Sequence, residues 1–193
     1  MITEHKINWT VPGNIGYFIS TNETGNSKGK YKHANFSNQV GENIKNVESN
    51  INELKTLHGL NDITFMNQTH SNTVLRASKE YTHLDCDAMF TEDKTISCAV
   101  LTADCIPILV TESSGRMIGC IHAGWRGLQS KIIENFFSKF KSISKSNFRI
   151  LLGPCISAQN YEVSNEIFRQ FSNYSQRFRK NKSGNYYMDL RYI

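Results

Sequence analysis

The sequence lacks any long uninterrupted run of apolar residues. Hydrophobic residues make up 39% of its 193 positions, and the segment densest in them, Cys98 to Val110, is interrupted by Thr102, Asp104 and Pro107. A helix that crosses a bilayer needs about 20 mostly apolar residues. We therefore expect no membrane-spanning helix and no membrane partner.

The amino terminus lacks the basic cluster and apolar stretch of a secretory signal. We therefore expect the protein to stay in the cytoplasm, where disulfides are rare. The five cysteines are also an odd number, which disfavours a disulfide framework. Each cysteine therefore has to be interpreted individually, as a small buried hydrophobe, a ligand or a nucleophile.

The excess of basic residues is modest, with 22 Lys and Arg against 17 Asp and Glu and a net charge of +5. Several of the basic residues lie between Arg169 and Lys182, close to Tyr174, Tyr186 and Tyr187. One interpretation is a nucleic-acid-binding module with tyrosines as stacking groups. An ordinary solvated basic surface explains the same pattern, so we expect no nucleic-acid partner.

Apolar spacing of three and four residues predicts an amphipathic helix from Glu42 to Leu57 and a second helix from Leu128 to Ile143. Ser164 is placed to cap a third helix. Short apolar runs between these helices predict a central sheet with strands at 63–67, 73–77, 97–101, 106–111, 117–122 and 149–152. With no repeat and no linker, residues 1–193 are predicted to form a single domain of the α/β (α+β) class.

Two potential metal ligands lie on one predicted hairpin. A turn centred between Ser113 and Ser114 would pair Cys105 with His122 across two antiparallel strands. Directly opposed residues have Cβ atoms about 4.5–5.5 Å apart, so a thiolate and an imidazole could reach one ion at roughly 2.3 and 2.0–2.1 Å. His70, in a polar loop between two strands, is the best third ligand. Such a mixed nitrogen and sulfur set favours Zn²⁺, with Cu²⁺ as the alternative.

Small residues and Arg126 follow His122, at the start of the second predicted helix. This arrangement suits anion binding, and Arg126 could hold a phosphate through two hydrogen bonds. An ordinary surface arginine is the other interpretation. Asp104, beside Cys105, is either a general acid or base, or a carboxylate that orients a ligand or caps a turn.

Five short motifs can be considered together: Asn67 to His70, Leu101 to Cys105, His122 to Leu128, Gly153 to Ile156 and Tyr161 to Val163. In their order and residues they resemble the laccase-domain family, known as polyphenol oxidase in older usage and as purine nucleoside phosphorylase in newer usage. The resemblance extends from about Gly16 to the last residue.

The resemblance implies a domain of the α/β/β/α type, with mixed sheet layers flanked by helices, and zinc bound by His70, Cys105 and His122. It also implies phosphorolysis of adenosine, inosine and methylthioadenosine to the base and a sugar 1-phosphate, together with adenosine deamination. Purine nucleosides and phosphate are then the expected partners of a monomer or small homo-oligomer. Gln68 and Cys155, which stand in the matched motifs, are expected as weaker substrate contacts, although Cys155 also suits a structural thiol.

Two departures from the family pattern limit what the resemblance implies. An arginine expected near the amino terminus is replaced by Asn22, so a contact to substrate or phosphate is expected to be absent. Family chains also usually continue past Asp189 and Leu190 through a helix to a final strand rich in arginine and aromatic residues. This sequence stops at Ile193, so the usual carboxy-terminal segment is expected to be missing, and we expect full activity only if neither that segment nor the arginine is required.

Three other functions remain open at the level of sequence. Cys105 as nucleophile with His122 as its base would make a metal-independent hydrolase or deamidase; His70 distinguishes the two, because only a metal needs it. A copper-dependent polyphenol oxidase is disfavoured, because one mixed site cannot supply the several coppers of that chemistry. The non-enzyme alternative is the basic nucleic-acid-binding module, whose affinity would fall steeply with salt.

Overall fold

The computed structural model describes residues 1–80 and 84–193. Its helices, numbered in chain order, are α1 (Ile44–His58), α2 (Trp125–Gln129), α3 (Ile132–Ser138) and α4 (Asn165–Gln170). Its strands are β1 (Asp62–Phe65), β2 (Val74–Arg76), β3 (Ala88–Thr91), β4 (Ile96–Ala99), β5 (Ile106–Glu112), β6 (Ile118–Ala123), β7 (Phe148–Leu152), β8 (Glu162–Val163), β9 (Phe178–Lys180) and β10 (Tyr186–Met188).

The described strands form three sheets. The largest has five strands in the order β2-β3-β6-β5-β7, with β2 and β3 parallel and the other neighbours antiparallel. A parallel pair joins β1 and β4, and a small antiparallel sheet has the order β8-β10-β9. This architecture confirms the predicted mixed α/β fold with several sheets flanked by helices; a single domain over 1–193 stays a prediction.

The first predicted helix is confirmed as α1, and its ends show why it forms there. The Asn43 side chain accepts a hydrogen bond from the N–H of Lys45 at 3.0 Å, which satisfies a free donor of the first turn. Gly59 ends the helix in the left-handed conformation, with φ of 61°. Val47 and Leu54 are buried on its inner face, as the apolar spacing predicts.

The second predicted helix is not continuous, and this part of the prediction is wrong. The chain leaves helical geometry at Lys131, whose φ is +65°, so that α2 and α3 are separate. The Asn72 side chain donates to the carbonyl of Ser130 at 2.8 Å, satisfying one carbonyl at the break. The apolar stripe is nonetheless core, because Ile132 and Phe136 are fully buried.

The predicted hairpin exists as β5 and β6, but its register is shifted. His122 lies opposite Pro107, not opposite Cys105. The reason is a longer connection: the N–H of Glu112 bonds to the carbonyl of Met117, and Gly115 turns the loop with a φ of +70°. The shift amounts to two residues, which keeps every side chain on its predicted face. Cys105 therefore still lies on the His122 side of the hairpin, just before β5 begins.

Strand β3 was not predicted from the sequence, although it pairs with both β2 and β6. Its residues have no alternation of polar and apolar side chains, because Ala88 and Met89 are both buried. A strand covered on both faces gives no signal of period two. Its position matters because Asp87, the residue before it, lies at the centre of the site described below.

Candidate metal centre

The three predicted ligands come together from three separate parts of the fold. His70 lies in the loop between β1 and β2, Cys105 directly precedes β5, and His122 is in β6. Their potential donor atoms all lie within 4.8 Å of one another. Cys105 Sγ is 3.9 Å from His70 Nε2, and the two imidazole rings have centroids 4.7 Å apart. This spacing suits three ligands that converge on a single ion.

His122 is held in one orientation by a buried carboxylate. Its Nδ1 lies 2.7 Å from Oδ1 of Asp87, which leaves Nε2 as the nitrogen available to a metal. The two side chains are 4% and 0% exposed. Burial opposes both charges, yet this hydrogen bond raises the pKa of His122 to about 9 and, with bonds from Ser71, lowers the pKa of Asp87 to about 2. The structure therefore contains a buried histidine–carboxylate hydrogen bond directly behind the ligand set.

His70 is held by its backbone in a conformation that few residues adopt. Its φ is +59°, in the left-handed region, and its N–H donates to Asp87 Oδ1 at 2.9 Å. Partial burial and the positive charge of His122 lower the pKa of His70. A lowered pKa favours the neutral ring, which is the form that binds a metal.

Gly124 leaves the space in which the ligands meet. A Cβ atom at this position would lie 2.8 Å from Cys105 Sγ and 3.0 Å from His70 Cδ2. In the sequence Gly124 is one of the small residues that follow His122. The structure shows that the close approach of two ligands requires the absence of a side chain.

The donor set fits zinc. Catalytic zinc sites commonly combine three protein ligands from His, Cys and carboxylates with a fourth position for water or substrate. Two imidazoles and one thiolate meet that description, and the carboxylate bonded to His122 is the usual partner of a metal-binding histidine. Among the residues that the structure describes, this is the one group of three His, Cys, Asp or Glu side chains placed to hold an ion.

Both predicted catalytic residues are exposed, and of the two Asp104 lines the cleft described below whereas Arg126 lies outside that lining. Arg126 is exposed in the first turn of α2, and its guanidinium carbon stacks 4.3 Å from the Trp125 ring centre. Its charge contributes to the lowered pKa of His70. Because α2 has only five residues, anion binding here depends on the Arg126 side chain. Asp104 is also exposed, and its carbonyl accepts a hydrogen bond from the N–H of Ile156 at 3.0 Å.

Gln68 and Cys155 have structural contacts in addition to their predicted role. The Gln68 amide donates to the carbonyl of Leu101 at 2.7 Å and accepts from the N–H of Leu101 at 2.8 Å. Cys155 is half-buried against the main core, and burial raises the pKa of its thiol. Substrate contact stays a prediction for both residues. Asn22 is exposed.

A cleft of about 960 Å³ adjoins the cluster and extends away from it. Its walls come from the amino-terminal segment, the edge of β4 and the β5–β6 hairpin. His70, Cys105 and His122 line it, together with Gln68 and Asp104. A concave, mostly apolar space that also exposes polar groups suits a small-molecule site.

Asp87 is the functional residue that the sequence analysis missed. The signal available in the sequence was an acidic residue directly before a short apolar run, Ala88 to Phe90. That signal is weak, because Asp85 occupies a similar position and the strand itself was not recognised.

Fold and site together define a mixed α/β protein whose described residues include one His-Cys-His cluster that could hold a metal ion, beside a cleft. No helix in the described part of the chain is long and apolar enough to cross a membrane. The chain belongs to the family described as multi-copper polyphenol oxidoreductase laccase, which matches residues 16–193.

Relatives of known sequence bear the name purine nucleoside phosphorylase. The Haemophilus influenzae protein is 34% identical over 165 residues, which are 85% of this chain and 67% of that protein. The Rickettsia conorii protein RC0672 is 31% identical over 162 residues, 83% of this chain and 66% of that protein. This chain thus spans about two thirds of the length of these relatives.

Solved structures have the same fold. Neisseria meningitidis protein NMB0706 is 31% identical, with a TM-score of 0.90 over 98% of this chain and 79% of that one. YlmD from Geobacillus stearothermophilus has a TM-score of 0.84 at 20% identity, over 98% and 80% of the two chains. The resemblance stated from the sequence motifs is confirmed.

Proposed function

We propose that this protein is a zinc-dependent purine nucleoside phosphorylase with adenosine deaminase activity. Adenosine, inosine and methylthioadenosine would react with phosphate to give the base and a sugar 1-phosphate. The observation that carries the proposal is the convergence of His70, Cys105 and His122 within 4.8 Å beside the cleft. The names of the relatives support the substrate class. The proposal includes a cytoplasmic location and a monomer or small homo-oligomer.

The metal has a defined place in this proposal. His70 and His122 would hold zinc through ring nitrogens and Cys105 through its thiolate. When bound, zinc supplies Lewis-acid polarisation and lowers the pKa of water. The buried Asp87 keeps the Nδ1 of His122 occupied, so that Nε2 remains the ligand atom.

The open side of the cluster would carry the substrate chemistry. In phosphorolysis a phosphate oxygen bonds to the anomeric carbon, the bond from that carbon to the purine nitrogen breaks, and a proton passes to the base. Arg126 would hold the phosphate and offset its charge. Asp104, which is exposed and lines the cleft, would move the proton. In deamination the same carboxylate would take a proton from the water whose oxygen bonds to the purine carbon, and the amino group would take up a proton and leave as ammonia.

The structure bears on two alternatives. The Cys–His hydrolase needs one histidine beside Cys105, whereas two histidines lie beside it, and the second is expected only for a metal. Polyphenol oxidation by several coppers needs several ion sites, and the described residues contain one such cluster. Copper in place of zinc stays a question for metal analysis.

The test is the metal content and product pattern of the purified protein beside His122→Ala, with His5→Ala as the matched control at an exposed histidine outside the cluster. We expect near-stoichiometric zinc in the wild type and the control, and its loss in His122→Ala. Adenosine should be converted to adenine only when phosphate is present. It should be converted to inosine when phosphate is absent. A folded, metal-free and active wild-type protein would support the hydrolase instead, and zinc without turnover would contradict the phosphorylase.

A further inference from the structure

The Asp87 side chain joins two of the three ligands from a position closed to solvent. It is 0% exposed, at the residue before β3. Its Oδ1 accepts from His122 Nδ1 at 2.7 Å and from the N–H of His70 at 2.9 Å. Its Oδ2 accepts from the N–H of Ser71 at 2.6 Å, the hydroxyl of Ser71 at 2.8 Å and the N–H of Thr69 at 3.2 Å. One carboxylate thus fixes both the ring of His122 and the backbone around His70.

The backbone of Asp87 strengthens the same connection. Its carbonyl accepts from the N–H of His122 at 2.7 Å, and its N–H donates to the carbonyl of Thr73 at 3.1 Å. Side chain and main chain of one residue therefore link β6 to the loop that carries His70. A loop held only at its ends would not maintain the positive φ of His70, because that conformation costs of order 1–3 kcal/mol for a residue other than glycine.

We propose that Asp87 is the positioning residue that assembles the ligand set before the metal binds. It acts in two ways: it presents Nε2 of His122 to the ion, and it holds His70 in the left-handed conformation that directs its ring toward Cys105. The proposal rests on the proposed metal-dependent function. It assigns to Asp87 no contact with metal or substrate.

The role requires a carboxylate, and an amide of the same shape cannot replace it. All the groups that face the two oxygens are donors. In Asp87→Asn, an NH₂ group turned toward Ser71 and Thr69 meets two backbone N–H donors and releases the loop. Turned toward His122, it donates to Nδ1 and places the ring proton on Nε2, the atom needed by the metal. Either orientation of the amide therefore weakens the ligand set.

The experiment is a titration of the metal-free protein with Co²⁺, followed by the thiolate-to-cobalt absorption band, and a competition with Zn²⁺. The variants are Asp87→Asn, Ser71→Ala and, as matched control outside the ligand loop, Ser78→Ala, whose hydroxyl accepts a local bond from the N–H of Glu80. We expect Asp87→Asn to lower metal affinity about 10- to 100-fold. Ser71→Ala should lower it several-fold, because Oδ2 keeps two backbone donors, and Ser78→Ala should leave it unchanged.

Thermal unfolding of the metal-free forms separates positioning from simple stability. If Asp87 acts only on stability, the melting temperature of Asp87→Asn falls while its Co²⁺ affinity and absorption band match the wild type; that result overturns the proposal. If Asp87→Asn does not fold, Ser71→Ala decides, and equal affinities for Ser71→Ala and Ser78→Ala overturn it. If the wild-type protein binds neither Co²⁺ nor Zn²⁺, the proposed function itself is contradicted. If the wild type binds metal and Asp87→Asn binds it with the same affinity, only the positioning role is contradicted.

Discussion

The two sides of the metal cluster differ in burial and in bonding. On the inner side, Asp87 and His122 are 0% and 4% exposed and joined by a 2.7 Å hydrogen bond. On the outer side, Arg126 and Asp104 are exposed, and the Arg126 guanidinium rests on the Trp125 ring. Inner residues can influence the reaction only through the ligands, whereas outer residues are free to meet a substrate. Metal affinity and turnover should therefore respond to different substitutions.

Arg126→Ala should separate the two sides most clearly. Removing the cation that would hold phosphate is expected to lower kcat/KM for phosphorolysis about 10²- to 10³-fold, the usual cost of losing one charge-stabilising donor. Zinc content should not change, because Arg126 is not a ligand. The measurements are steady-state kinetics with inosine and varied phosphate, and zinc analysis of the same preparation.

Arg76→Ala is the matched control for this prediction. Arg76 is exposed and forms a surface ion pair with Glu92 at 2.7 Å, which contributes little to stability. Its kinetics should equal those of the wild type. Unchanged phosphorolysis in Arg126→Ala would mean that another group binds phosphate and that the outer side has been assigned incorrectly.

Cys105 and His122 could be predicted as ligands from the sequence even though the predicted register of their hairpin is wrong. Side chains alternate along a strand, so a register shift of two residues leaves Cys105 and His122 on the same face. The structure brings them together diagonally, with His122 opposite Pro107. The prediction of shared ligands depended on which face of its strand each side chain occupies, and a shift of two residues does not change that face. It did not depend on the length of the connection, which the four polar residues of the turn do not define.

The inner side could not be predicted in the same way. Asp87 acquires its function from donors on the His70 loop and on β6, which are distant in sequence. No local pattern records that contact, and β3 gives no alternation because both its faces are covered. The break at Lys131 has a similar origin: the apolar stripe identified the core residues correctly, but a left-handed residue and the contact from Asn72 interrupt the helix.

Gly124→Ala should weaken the metal site without touching a ligand. The added methyl group would lie 2.8 Å from Cys105 Sγ and 3.0 Å from His70 Cδ2, so one ligand has to move. We expect zinc affinity to fall about tenfold, in the range reported for disturbed surroundings of metal ligands. Gly13→Ala is the control, because no atom of the described residues, apart from Gly13 and its chain neighbours, lies within 4 Å of its added Cβ. Equal zinc affinities in competition titrations would show that the ligands tolerate the displacement.

Gln68→Ala should have the smallest effect, because it acts on the connection between two loops and not on a ligand. Its amide forms two hydrogen bonds with the backbone of Leu101, four residues before Cys105 in the sequence. Loss of both bonds is expected to destabilise the fold by about 1–2 kcal/mol and to lower zinc affinity a few-fold as the Cys105 loop gains freedom. Denaturant unfolding and zinc titration measure the two effects, with the variant Gln170→Ala, at an exposed glutamine, as control.

Loss of turnover at unchanged stability and zinc affinity would instead identify Gln68 as a substrate contact, the role predicted from its motif.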